Sequence, residues 1–356
     1  MKEFKFDDSQ WMDVPKKSRE KEEIKPIEWE NDGSKTIGTN GYNIAIPGYE
    51  WKGKTLLATL FGFLNSKYFD KMGIKEKFPK SYEMIHSGLV PEVEEIQVLD
   101  LDASYRTLSH SGIFYKLVKP LYDENKIKRK TIKIPKRQQN FLNNEIREVA
   151  LMDIDKTKIR IENEITIATR DNGPEVLFII DSMSSYDELL NDKFRILFEN
   201  VIAAEEERGL ATSLKGIRQN YWMIRNAWWI ETLRDKRNYR GWQIDTYKIT
   251  PKSDLWLEKE AKTKNKSIEE LENYTIHWAP KTKYEMDFIL MVDNDKEHYW
   301  CNVESRFEGN IPQNKRVYYT PNRRYAAFEI LEELAPAIMG EVDGKELTQE
   351  ELWGKI

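Results

Sequence analysis

Apolar and polar positions along this chain alternate in short blocks, and four of the blocks read as strands. Residues 43–46 (NIAI) and 95–101 (EIQVLDL) are β-prone apolar runs. Residues 175–181 (EVLFIID) carry the strongest run, and 241–250 (GWQIDTYKIT) a fourth with a polar centre. A β-hairpin is expected from strands at 284–292 and 298–303, around the turn Asp293-Asn294-Asp295. Helices are expected at 56–65, 141–152, 189–207, 214–234 and 325–339, whereas 68–91 and 309–321 read as loops. Residues 104–170 mix short polar and apolar pieces, and 252–272 form a charged insertion. Residues 1–40 are polar with little periodicity, either an arm that docks on a neighbouring subunit or a loosely ordered tail.

The first strand runs straight into chemistry. Gly48-Tyr-Glu-Trp-Lys-Gly53-Lys54-Thr55 is a complete G-x-x-x-x-G-K-[ST] pattern, placed between a strand and a helix. Gly48 and Gly53 allow the tight turn that aims backbone N–H groups at phosphate oxygens. The segment Gly48, Trp51, Lys52, Gly53, Lys54, Thr55 and Leu56 is therefore the expected nucleotide cradle. Lys54 would bring a point charge to the β/γ-phosphates, and Thr55 a hydroxyl to Mg²⁺.

Two later strands end in acids. The run closed by Asp181 and Ser182 has the Walker B form, with the Asp181 carboxylate expected near the Mg²⁺ shell and Thr55. Asp100 and Asp102 end the second strand, where a water-activating group can sit; a turn carboxylate is the alternative. Thr246 and Lys248 share a face of the fourth strand by the period of two, within reach of a γ-phosphate.

Composition limits the partners. Net charge is −5 over 356 residues, against a basic shell for nucleic acid but not against a local channel. The basic stretches 126–137 and 234–240 are the candidate DNA contacts. The first could equally be a solvated face or an edge strand carrying positive charge. The aromatics of 214–234, interleaved with Arg218, Arg225 and Arg234, read as core rather than a base-stacking surface. One cysteine, Cys301, excludes an intramolecular disulfide, and four scattered histidines offer no metal spacing. No apolar run reaches membrane-spanning length and no secretory signal is evident, so a reducing cytoplasm is expected.

The order of these motifs resembles the RecA-like P-loop ATPase superfamily, most of all the small archaeal and phage-encoded RecA/KaiC-like recombinase ATPases. The resemblance spans roughly residues 40–320. It implies an α/β fold with a RecA-like P-loop NTPase core: a mostly parallel sheet flanked by helices, with an antiparallel hairpin at one edge. Residues 41–322 would be the ATPase domain, preceded by the 1–40 arm and followed by a C-terminal helix and acidic tail at 323–356. By resemblance Asp102 holds the place of the family's catalytic carboxylate, usually Glu, and Asp181 that of the Mg²⁺-associated acid. Thr246 falls at the polar sensor position, and Arg306 where ring ATPases present a cation to the neighbour's γ-phosphate. The expected activity is hydrolysis of ATP with Mg²⁺ by a homo-oligomer acting on DNA, as a recombinase-like protein or a motor. The alternatives are a nucleotide-dependent switch or scaffold for protein partners and a viral genome-packaging ATPase. The long Trp-rich segment after Asp181 departs from the short Gly-rich DNA loop of recombinases.

Overall fold

The computed structural model describes residues 41–50, 52–110, 112–135, 144–207, 219–237, 239–268, 271, 273–278, 282–294, 299–305, 316–318, 325–339, 341–342 and 345–346. The 1–40 arm, Trp51, Arg306 and the end of the acidic tail lie outside them.

The sheet is built from β1 (Asn43–Gly48), β2 (Glu95–Asp100), β3 (Ile127–Thr131), β4 (Val176–Asp181), β5 (Gln243–Pro251), β6 (Tyr274–Ile276), β7 (Phe288–Asn294), β8 (Tyr299–Ser305) and β9 (Arg316–Tyr318). Its order is β3-β2-β4-β5-β1-β7-β8-β9, with β6 attached to β5. The pairs from β3 through β7 are parallel, and β7-β8-β9 continue antiparallel. This is the mostly parallel α/β sheet with an antiparallel edge that the motif order implies.

Helices cover both faces, as a parallel sheet requires. One layer is α1 (Lys54–Leu60), α2 (Ser66–Met72), α3 (Pro79–His86), α4 (Ser104–His110), α5 (Gly112–Asp123) and α10 (Ala326–Met339). The other is α6 (Asn144–Asp171), α7 (Met183–Glu207) and α8 (Gln219–Arg237). A further helix, α9 (Asp254–Lys264), lies in the 252–272 insertion, capped by Ser253. Alternation within each strand sorts the core between the layers. Ile44 and Ile46 of β1 and Leu177 and Ile179 of β4 face the α1 side, while Ala45, Phe178 and Ile180 face the α6–α8 side.

Several expectations change. The stretch 68–91 is not loop but carries most of α2 and all of α3, with Tyr68, Phe69, Met84 and Ile85 buried. Asn65 caps α2 through Lys67 N, and Pro79 at the first turn opens α3. The helix expected at 141–152 extends to Asp171. The 309–321 stretch holds β9, whose Val317 enters the core. Within the basic run at 126–133, Ile127–Thr131 forms the edge strand β3, with residues 128–131 exposed. The C-terminal helix packs on α3, where Ser81 Oγ donates to Phe328 O at 2.7 Å. Among the described residues no helix is long and apolar enough to cross a membrane.

Candidate nucleotide site

The parallel order puts β1, β5, β4 and β2 side by side, so their C-terminal ends form one rim. The turn after β1 follows from its glycines. Gly53 takes a positive φ of 81° immediately before α1, a conformation other residues adopt only with strain. A Cβ on Gly48 would collide with Val292 Cγ2 of β7. Gly48→Ala should therefore push the loop off β7 and weaken nucleotide affinity by about 10-fold or more, readable by titration with a fluorescent nucleotide.

Lys52 fastens the outer part of the loop, donating to Asn294 O at 2.8 Å and pairing with Asp293 at 2.9 Å at the end of β7. Lys54 Nζ turns back into the loop, donating to Gly48 O (2.9 Å) and Tyr49 O (2.7 Å). Burial lowers its ammonium below the ordinary lysine range, opposed by Asp181 and Asp102 and reinforced by Lys248. An anion beside this ammonium would restore its charge preference. Leu56 is buried in the α1 layer, so its side chain serves the core and only its backbone remains for a ligand.

Asp181 is the hub. It accepts from Thr55 Oγ1 at 2.7 Å, from Ser104 Oγ at 2.6 Å, and from Thr246 Oγ1. Three hydroxyls from α1, α4 and β5 thus meet one fully buried carboxylate, which a cis peptide joins to Ser182. Burial and then Asp102 raise the Asp181 carboxyl above the usual range, while the three hydroxyls pull it back. Such a set of hard oxygen donors suits Mg²⁺, which takes one or two carboxylates and keeps water and phosphate for its other positions.

Asp102 is exposed just beyond β2 and accepts from Ser104 N at 3.0 Å and from Ser104 Oγ. Ser104 bridges Asp102 to Asp181, a link with no signal in the sequence beyond an ordinary Asp-x-Ser turn. Asp100 is different. It is fully buried in register with Asp181, and its carboxyl is raised from 3.8 to about 7, by burial first and then by Asp181 and Asp102. The sequence did offer a clue, since an acid set between Leu99 and Leu101 in an apolar run is bound to be buried.

That shift carries a sign. Between about pH 4 and pH 7 the folded protein holds a proton on Asp100 that the unfolded chain has lost. The contribution of this group to stability therefore falls as pH rises and is least favourable above about 7. Asp100→Asn in EDTA should raise stability by roughly 2 kcal/mol at pH 8, once solvent screening is allowed for, and change it little at pH 4. Urea unfolding at the two pH values checks this; an equal effect at both would contradict it.

The candidate DNA contacts are partly withdrawn. Lys126 is buried, with Nζ donating to Val93 O at 2.8 Å, and burial lowers it to about 8. Lys236 is buried in an ion pair with Asp245. Lys128 and Lys130 pair with Glu95 and Glu164. Arg129 and Arg240 remain exposed, and residues 136 and 137 lie outside the described residues. Trp229 is fully buried and Trp228 partly so, in accord with the core reading for these two; the side chains of Tyr221 and Trp222 are not among those described.

No protein-family model and no curated protein matches the chain. Among solved structures, that of a RadB recombinase is similar over 81% of this chain and 90% of that one, with 11% identity and a TM-score of 0.33. At those values the fold assignment rests on the strand order and the placement of the motifs in one sheet.

Proposed function

We propose that this chain is a RecA-like ATPase, binding ATP with Mg²⁺ at the 48–56 loop and hydrolysing it. The observation that carries this is the meeting of Thr55 and Asp181, 126 positions apart, at 2.7 Å beside Lys54 and Thr246. A glycine turn alone could bind any anion. A P-loop hydroxyl on a strand-end carboxylate is the arrangement that serves a phosphate-bound cation.

Thr55 and Asp181 would hold Mg²⁺, which when bound neutralises charge on the β- and γ-phosphates. Lys54 would exchange the carbonyls of Gly48 and Tyr49 for phosphate oxygens and stabilise charge as the terminal phosphoryl group leaves. Asp102, held by Ser104, would orient the attacking water. Thr246 ties β5 to the same carboxylate and would report the state of the γ-phosphate to that strand. Arg306 is proposed to act in trans, making turnover depend on a homo-oligomer.

DNA is the proposed effector. A switch acting on protein partners is the second reading, and burial of Lys126 and Lys236 favours it, since it leaves fewer cations for phosphates. Salt-dependent DNA binding separates the two. The DNA reading expects Arg129→Ala and Arg240→Ala each to weaken binding uniformly across sequences and to reduce the salt slope by about one. Binding that is absent, or unchanged in both variants, favours the protein-directed switch.

A further inference from the structure

Asp100 ends β2 with its side chain fully buried; the Ala103 backbone N–H lies near its carboxylate, but neither oxygen receives a well-aligned hydrogen bond and no side chain donates to it among the described residues. The neighbouring acids do not share this state. Asp181 receives the hydroxyls of Thr55 and Thr246 and shares that of Ser104 with Asp102, which also receives the Ser104 amide. Buried polar groups are nearly always paired, and an isolated buried charge is among the costliest features a fold can contain.

Its position follows from register. Asp100 lies opposite Asp181 on the adjacent parallel strand. Ile96 and Val98 of β2, like Leu177 and Ile179 of β4, pack in the α1 layer, so the period of two carries Asp100 and Asp181 onto that same face. Thr246 donates to Asp181 from the next strand. Asp100, Asp181 and Thr246 thus form a polar row across three neighbouring strands, on the face where Thr55 arrives from α1.

We propose that Asp100 is a second carboxylate of the divalent-cation site, reaching the cation's water shell beside Asp181. This rests on the P-loop reading of the 48–56 segment. Two carboxylates on adjacent strands repel one another, and a dication facing both removes that cost for each. Among the described residues no group of three or more His, Cys, Asp or Glu is placed to hold a metal by itself. Two carboxylates and a Thr hydroxyl need phosphate oxygens and water to complete an octahedral shell, so the site takes its cation together with a nucleotide. Asp102 lies beyond the end of β2 with its side chain exposed, so it is not a member of this buried row.

The test is Mn²⁺ binding followed by electron paramagnetic resonance in the presence of a non-hydrolysable ATP analogue. Wild type is compared with Asp181→Asn, Asp100→Asn, Asp100→Glu and Asp102→Asn. Asp100→Asn is nearly isosteric, and its circular-dichroism melt verifies folding. The expected result is Mn²⁺ affinity lowered about 10-fold or more in Asp100→Asn, with partial recovery in Asp100→Glu and little change in Asp102→Asn. If Asp181→Asn weakens Mn²⁺ but Asp100→Asn does not, the proposal is overturned and the nucleotide reading stands. Equal losses in Asp100→Asn and Asp102→Asn would reduce the effect to general electrostatics and also overturn it. If wild type binds neither the analogue nor Mn²⁺, the nucleotide reading fails and this proposal with it.

Discussion

Lys54→Ala is expected to reduce ATP turnover by about 10²–10³-fold or more, with a smaller loss in ATP affinity. The reason lies in where the ammonium sits. Lys54 Nζ is held inside the loop by Gly48 O and Tyr49 O, close enough to Asp181 and Asp102 for both to support its charge. Charge that grows on phosphate oxygens during transfer would meet a cation already in place, with little reorganisation. Backbone N–H groups and the cation site remain in the variant, so binding should persist while turnover does not. Single-turnover hydrolysis beside nucleotide titration separates the two effects. Equal losses in affinity and turnover per bound ATP would instead mark Lys54 as a ground-state anchor.

Asp245→Ala is expected to destabilise the fold by about 3–5 kcal/mol, with a fall in Tm on the order of 10 °C. Asp245 lies in β5 on the face opposite Thr246, fully buried, and its ion pair with Lys236 of α8 is equally buried. Burial lowers the Lys236 ammonium below the ordinary range, and Asp245 is what opposes that. Tyr247 Oη also donates to Asp245, at 3.3 Å. Removing the acid leaves a cation in an apolar layer formed by Phe178, Ile180 and Trp229. Replacing both partners, as in Lys236→Met with Asp245→Leu, should recover most of the loss, because well-packed apolar groups need no partner. Calorimetric melts of the two variants distinguish a buried-charge penalty from simple loss of packing, which the double variant would not repair.

Much of the sheet is legible in the sequence because its central strands are short apolar runs with sharp ends. The runs at 43–46, 95–101 and 175–181 correspond to β1, β2 and β4, and the late hairpin to β7 and β8. Helical patterns fared unevenly, for physical reasons. In α6, Ile161 and Ile165 are buried while Val149, Met152, Ile159 and Ile167 are exposed, so apolar residues encircle the helix and blur its period. In α2 and α3 the buried residues are interrupted by Lys67, Lys71 and Lys80, and both helices are only about two turns long. Strand β9 has three residues, too few for any alternation to register.

The site divides in the same way. Lys54, Thr55, Asp181 and Thr246 belong to local patterns whose spacing announces them, and the sheet brings them together. Ser104 and Asp100 do not. Their importance depends on which strand lies beside which, and the sequence states no strand order. The two lysines set aside as DNA contacts, Lys126 and Lys236, show the converse. Within a basic run they look exposed, yet tertiary packing turns each inward onto an acceptor.

The most direct test is steady-state ATP hydrolysis by the full chain with Mg²⁺, with and without single- and double-stranded DNA, beside Lys54→Ala. A Mg²⁺-dependent rate that DNA raises and Lys54→Ala abolishes is the predicted result. Failure to bind or hydrolyse ATP, or a rate that Lys54→Ala leaves intact, would contradict the assignment of this loop as the site of chemistry.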